Sequence, residues 1–327
     1  MPSDIELPPQ LYMPRKTFEF GSSVLQNSTV ELLTAKALGA IGSSSAKGES
    51  MAEDLESFWA REHACYVTFC GNRNLHYNQY LPGRWYTYSV IAQILRRLQR
   101  DEHTSLLEVG CGSALTSQIL SQSGWKSVGM DWTRCAVNFA RALASDLGSG
   151  VENVVGNAVA LPFADRAFDM IFSLGMLEHQ PPERQLGIVR EMSRVARTAV
   201  VLSVPNVDSP IFLAMEEREH TSIPAGLIYP EQNVQHGVDL ERLAQLASLR
   251  VAESAAVHIV PPRRIPGRLL SKDSHRFFSR TIDEASRSWC GNAIQTWQRV
   301  EQNCSLEEKR RFGWFSYVVA LTNESGG

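Results

Sequence analysis

This 327-residue chain contains no apolar run long enough to cross a bilayer, which argues against a membrane-spanning anchor. Asp4 and Glu6 precede any apolar stretch, so the basic opening of a secretory signal is missing and a cytoplasmic location is expected. Charge of one sign is also lacking. Lys and Arg number 32 against 35 Asp and Glu, a formal net charge of −3, which gives no global pull toward nucleic acid or an anionic membrane. The six cysteines, Cys65, Cys70, Cys111, Cys135, Cys290 and Cys304, never form a C-x-x-C pair, which argues against a disulfide scaffold and a zinc site. His63 with Cys65 and Cys70 fits no standard ligand spacing, so no metal is expected. No internal repeat or low-complexity tract is evident.

What is present centres on Leu106-Leu107-Glu108-Val109-Gly110-Cys111-Gly112-Ser113-Ala114, an apolar strand that ends in an acid and two glycines before a helix. Glycines there let a ligand approach the backbone without Cβ obstruction, and the helix start offers N–H groups. A dinucleotide fingerprint needs a third glycine three residues after the second, and that position is Leu115, which weakens a pyrophosphate reading. Three further elements follow in order: Gly129-Met130-Asp131, Gly156-Asn157-Ala158, and Ala167-Phe168-Asp169-Met170-Ile171-Phe172-Ser173 running on to Leu177-Glu178-His179.

Together these motifs resemble the class I S-adenosylmethionine-dependent methyltransferases, in their small-molecule branch (methyltransferase type 11-like). The likeness is close over Leu106 to Val204 and looser beyond. It implies a Rossmann-like α/β fold, S-adenosyl-L-methionine as cofactor, and in-line methyl displacement, which needs a fixed pose and exclusion of water more than a reactive side chain. Gly110, Cys111 and Gly112 would receive the methionine end of the cofactor, with Glu108 as the family acid. Cys111 itself reads as a small space-filler. Asp131, 23 residues beyond Glu108, would bind the ribose hydroxyls, its alternative being a cap for the helix starting near Thr133. Trp132 would lie on adenine or ribose or else in the core, and Asn157 and Ala158 would line the adenine edge, Asn157 standing where the family more often has Asp. Ala114 replaces a third glycine. Ser173 and Leu174 would offer main-chain groups to the cofactor, and Tyr80 or Arg84 would meet its carboxylate unless that aromatic cluster only packs the helices. Glu178 and His179 fall on the acceptor side, with His179 the preferred general base by its ordinary pKa and packing its alternative role. Asp169 reads as structural.

Residues 1–104 lack strand alternation and are expected to form a helical extension, with capping boxes Ser28-x-x-Glu31 and Ser50-x-x-Glu53 and a helix over Tyr88–Leu98. From 105 to 327 strand and helix alternate, which specifies a mostly parallel sheet covered on both faces. Two segments outside that repeat, about 206–238 and 261–313, are expected to form a lid with the extension, placing Tyr77, Tyr229 and His236 against the acceptor. The basic run Arg263 to Arg280 reads either as an anion-attracting patch or as a solvated face.

The expected function is methyl transfer to a small acceptor of secondary-metabolite type, in a pathway of natural product biosynthesis, with no nucleic-acid or membrane partner. A homodimer is one candidate assembly. Rival readings are an S-adenosylmethionine-binding assembly or regulatory protein without turnover, and a nicotinamide-dependent oxidoreductase.

Overall fold

The computed structural model describes residues 2–11, 47–67, 70, 82–99, 104–222 and 237–323. The core is a seven-stranded sheet built from β2 (Ser105–Val109), β3 (Lys126–Asp131), β4 (Glu152–Val155), β5 (Phe168–Leu174), β6 (Ala196–Pro205), β7 (Arg250–Val257) and β9 (Phe315–Leu321). Its order is β4-β3-β2-β5-β6-β9-β7. Neighbours from β4 to β6 run parallel, and β9 slots antiparallel between β6 and β7. The order reverses direction between β2 and β5, the place where open α/β sheets leave a crevice beyond their carboxyl ends.

Helices cover both faces because each carries one apolar stripe. The helix α3 (Leu115–Ser121) is buried over nearly its whole length, and α4 (Arg134–Leu147) turns Ala136, Phe139, Ala140 and Leu143 inward. Gly148, at φ 62°, ends α4 in the left-handed conformation that glycine adopts freely. On the other face α5 (Pro182–Val195) buries Ile188, Val189, Met192 and Val195 against β5 and β6. Near it lies α7 (Leu240–Leu246), started by Asp239 accepting from the Arg242 N–H at 3.0 Å.

The extension before the sheet differs from the sequence expectation in three ways. A two-residue strand, β1 (Ile5–Glu6), pairs with β8 (Arg264–Ile265), too short to leave a periodic pattern. The helix α1 runs Lys47–Tyr66, so Ser50 and Glu53 fall inside it rather than at its start. The helix α2 (Pro82–Leu98) begins six residues before Tyr88, because proline suits a first turn whose N–H groups have no intrahelical acceptor. The box at Ser28 and Glu31 lies outside the described residues.

The segment 206–238 opens with α6 (Pro210–Ser222). The segment 261–313 holds β8 and three helices, α8 (Lys272–Arg287), α9 (Ala293–Asn303) and α10 (Leu306–Phe312). Phe277, Phe278, Trp297 and Phe312 from these helices join the core formed with α2, α3 and β7.

Candidate active site

The floor of the site is the turn after β2. Gly110 and Cys111 both donate their N–H to the Met130 carbonyl, at 2.9 and 3.0 Å, which folds the chain back toward β3. Gly110, Gly112 and Ala114 then take φ values of 69°, 51° and 52°. For the first two, glycine is required by neighbours as well as by conformation. A Cβ on Gly110 would lie 2.5 Å from Met176 Cγ, and one on Gly112 would overlap the Trp59 ring of α1. Ala114 accepts the left-handed conformation at a cost of about 1–2 kcal/mol.

Two buried carboxylates hold this turn. Asp131 Oδ2 accepts from the Gly112 N–H at 3.0 Å, while Oδ1 accepts from the N–H and hydroxyl of Thr133, each at 2.9 Å. The ribose and helix-start readings of Asp131 are therefore compatible: the group organises the start of α4 and still lines the cleft. Glu108 Oε2 accepts from the Ser117 N–H at 3.1 Å and its hydroxyl at 2.6 Å. Burial pushes Glu108 up to about 7, and burial raises Asp131 as well.

The adenine-edge candidates sit at the rim. Trp132 is 46% exposed, and Asn157 accepts the Val159 N–H through Oδ1 at 3.1 Å, which closes a local turn. Asn157 therefore already uses one lone pair of its carbonyl within the chain, and Ala158 lines the cleft beside it. Beyond β5, Leu174, Gly175 and Met176 line the cleft, whereas the Ser173 side chain is buried within the sheet with its hydroxyl unpartnered. Cys111 is buried, and burial raises its thiol well above the usual range, consistent with a filler.

Glu178 and His179 follow on a single helical turn, Leu177–His179, both lining the cleft. Glu178 Oε1 is 3.7 Å from His179 Nε2, and Glu178 Oε2 is buried without a hydrogen-bond partner. Burial moves the two in opposite directions, Glu178 up to about 8 and His179 down to about 4.

The cleft holds about 730 Å³. Its far wall was not fully legible from sequence: Leu55, Phe58 and Trp59 from α1, Thr87 and Tyr88 from α2, Phe212 and Met215 from α6, and Trp314 with Phe315 at the start of β9. Several contacts dock α1 beside the turn. Glu56 accepts from the N–H groups of Arg134 and Cys135, both at 2.7 Å, and Tyr66 donates to Asp146 at 2.5 Å. Arg84 lines the cleft but already donates to Glu62 at 2.6 Å, joining α2 to α1. Tyr77, Tyr80, Tyr229 and His236 lie outside the described residues.

No residue of 261–313 lines the cleft; the helices of that segment pack the sheet instead, so the expectation of a second lid piece there is corrected. Four cations of the basic run are paired within the chain, Arg264 with Asp4, Arg268 with Glu217, Arg276 with Asp273 and Arg280 with Glu308. Asp169 accepts from the Ser105 N–H and hydroxyl at 2.9 and 2.7 Å, a structural tie between β2 and β5. Among the described residues no group of three or more His, Cys, Asp or Glu side chains is placed to hold a metal, and no helix is long and apolar enough to cross a membrane.

Residues 107–204 match the family model described as "Methyltransferase domain". A probable tocopherol O-methyltransferase, chloroplastic, from Oryza sativa subsp. japonica is 35% identical over 95 residues, 28% of this chain and 26% of that one. A probable tRNA methyltransferase 9B from Homo sapiens is 33% identical over 100 residues, 30% of this chain and 20% of that one. The chain thus spans about a quarter or less of these relatives. Among solved structures, magnesium protoporphyrin IX methyltransferase from Synechocystis PCC 6803 with bound S-adenosylhomocysteine aligns at a TM-score of 0.46 and 14% identity, over 81% of this chain and 100% of that one.

Proposed function

We propose, starting from the methyltransferase domain matched by residues 107–204, that this chain transfers a methyl group from S-adenosylmethionine to a small, largely apolar acceptor of secondary-metabolite type. The observation that carries the reading is the left-handed turn at Gly110, Gly112 and Ala114, with Glu108 and Asp131 beneath it, opening into a cleft of about 730 Å³. That volume lies in the range of sites that enclose a small molecule.

The residues fit the cofactor. The glycines line the cleft with backbone alone, and Asp131 Oδ2, which accepts only from the Gly112 N–H, retains acceptor capacity for a ribose hydroxyl, whereas Oδ1 is taken by the two Thr133 donors. Gly110, Gly112 and Glu108 would hold the methionine end, Asp131 the ribose, and Trp132, Asn157 and Ala158 the adenine. When bound, the cofactor supplies an electrophilic methyl carbon. The chain's own part is to orient the acceptor and exclude water, for which α1, α2, α6 and the start of β9 provide apolar walls.

Burial reverses the order of bases expected from ordinary pKa values. His179, held near 4, is a weak base, while Glu178, near 8, has the higher proton affinity and acts as a base once ionised. Glu178 is therefore the better candidate base and His179 its neighbour on the acceptor side. A small acceptor is favoured over nucleic acid by the cleft's charge. Among the described residues its lining holds two basic side chains, Arg84, already paired with Glu62, and Arg184, beside the acids Glu183 and Glu216, so no basic track for a phosphate backbone lines it.

The test is incubation with methyl-labelled S-adenosylmethionine and a metabolite panel, read by mass spectrometry. A labelled small-molecule product supports the reading. Label appearing only in RNA, or binding of a nicotinamide dinucleotide in place of S-adenosylhomocysteine, overturns it.

A further inference from the structure

We propose that the acceptor is an amine, bound as its ammonium ion and deprotonated by Glu178; this rests on the methyltransferase reading above. The sheet order divides the cleft in two. The turn, Asp131 and Asn157 stand over β2, β3 and β4, whereas Glu178 follows β5, Phe212 follows β6 on α6, and Trp314 and Phe315 stand where β9 begins beside the end of β6. The second half is the acceptor's.

Three independent features of that half select a cation. Glu108 and Asp131 are committed to hydrogen bonds with Ser117, Gly112 and Thr133 on the cofactor side, whereas Glu178, only 4% exposed, keeps Oε2 without a hydrogen-bond partner. An ammonium N–H is the complement such an atom lacks. Second, the charges around it do not supply one already. Among the described residues the basic atom paired with Glu178 is His179 Nε2, at 3.7 Å from Oε1, and the other charged groups lining the cleft are Glu183 and Arg184 on α5, Glu216 on α6, and Arg84 on α2, which is bonded to Glu62. A carboxylate or phosphate acceptor would meet the ionised Glu178 with Glu183 and Glu216. Third, the walls include the side chains of Tyr88, Phe212, Trp314 and Phe315, and aromatic rings attract ammonium ions without hydrogen bonding them.

The proton balance closes without another reactant. The bound ammonium gives one proton to the Glu178 carboxylate and becomes a free amine. Its lone pair forms the new C–N bond to the methyl carbon as the C–S bond breaks and that electron pair returns to sulfur. The positive charge passes from sulfur to the methylated nitrogen, and Glu178 releases its proton to solvent as product leaves. Burial lifts Glu178 to about 8 in the empty cleft, where it holds a proton at neutral pH; the adjoining ammonium charge favours the carboxylate, which gives up that proton to solvent as the ammonium binds and is then free to act as base.

The experiment is calorimetric titration of the S-adenosylhomocysteine-loaded full chain with tryptamine, tryptophol and indole-3-acetate, which share a ring system and differ in the terminal group. Tryptamine is expected to bind at least about tenfold tighter than the other two, a difference set by a charge-assisted contact. Glu178→Gln should bring tryptamine to the level of tryptophol while S-adenosylhomocysteine affinity is retained. Equal affinity for the three probes, absence of binding included, or unchanged tryptamine affinity in Glu178→Gln, overturns the amine assignment alone. Failure of S-adenosylhomocysteine to bind overturns the methyltransferase reading and this inference with it.

Discussion

The Trp59 ring of α1 lies against Gly112, in the space a β-carbon there would enter. The N-terminal helix and the cofactor turn are therefore fitted to each other before any ligand is considered. Gly112→Ala should cost about 1–2 kcal/mol for the left-handed φ of 51° and about 1–3 kcal/mol more for overpacking against Trp59. In a Trp59→Ala background the second part should disappear. Urea denaturation of the two single variants and the double variant measures this coupling, and strict additivity would contradict the contact.

Glu56 reaches across from α1 to cap α4, taking both the Arg134 and Cys135 N–H groups at 2.7 Å. Glu56→Ala should lower stability by about 0.5–2 kcal/mol, the usual cost of a lost N-cap. Because α4 starts just after Asp131 and Thr133, S-adenosylhomocysteine affinity should fall in parallel. A variant with wild-type stability and affinity would leave Glu56 without a docking role.

Asp131→Ala should weaken S-adenosylhomocysteine binding by well over tenfold, since hydrogen bonds to a charged group contribute about 1.5–3 kcal/mol each. Stability should fall too, because Asp131 ties Gly112 to Thr133. The two roles that the sequence left as alternatives, ribose binding and helix cap, would then belong to one side chain. Calorimetry with thermal denaturation separates the two effects; intact affinity would remove Asp131 from the site.

The buried acids make stability depend on pH in a definite direction. Burial raises Glu108 to about 7 and Glu178 to about 8, so the folded chain keeps protons that the unfolded chain releases above about pH 4.5. Their contribution is present in acid and is lost as pH rises through those folded values. His179, lowered by burial to about 4, acts oppositely, its contribution being lost as pH falls from about 6.5 toward 4. Between about pH 6.5 and about 9 the two glutamates dominate, so Tm should decline, and Glu178→Gln should decline less. Parallel curves for the two proteins would contradict the burial of an ionisable Glu178.

The geometry of the proposed cofactor half was legible because its chemistry is local. Glu108, Gly110, Gly112 and Asp131 sit at fixed offsets on a strand, a turn and the next strand, and parallel pairing of β2 with β3 brings them together. The acceptor half is assembled from distant segments. Trp314 and Phe315 arrive only because β9 inserts beside β6, and Phe212 only because α6 follows β6. Nothing in the local pattern of 261–313 distinguishes helices that cover a cleft from helices that cover a sheet, and here Trp297 and Phe278 bury themselves in the core. The ordering of Glu178 and His179 was hidden for the same reason, since burial rather than residue type sets their proton affinities.

The most direct test of the central claim, that the cleft above Gly110 and Gly112 binds S-adenosylmethionine, is calorimetric titration of the full chain with S-adenosylhomocysteine and, separately, with NADH. One-to-one binding of S-adenosylhomocysteine that is lost in Gly110→Val, where the added branches would meet Met176 and the ligand space, is the expected result, with no binding of NADH. Binding of NADH in its place, or S-adenosylhomocysteine affinity unaltered by Gly110→Val, would contradict it.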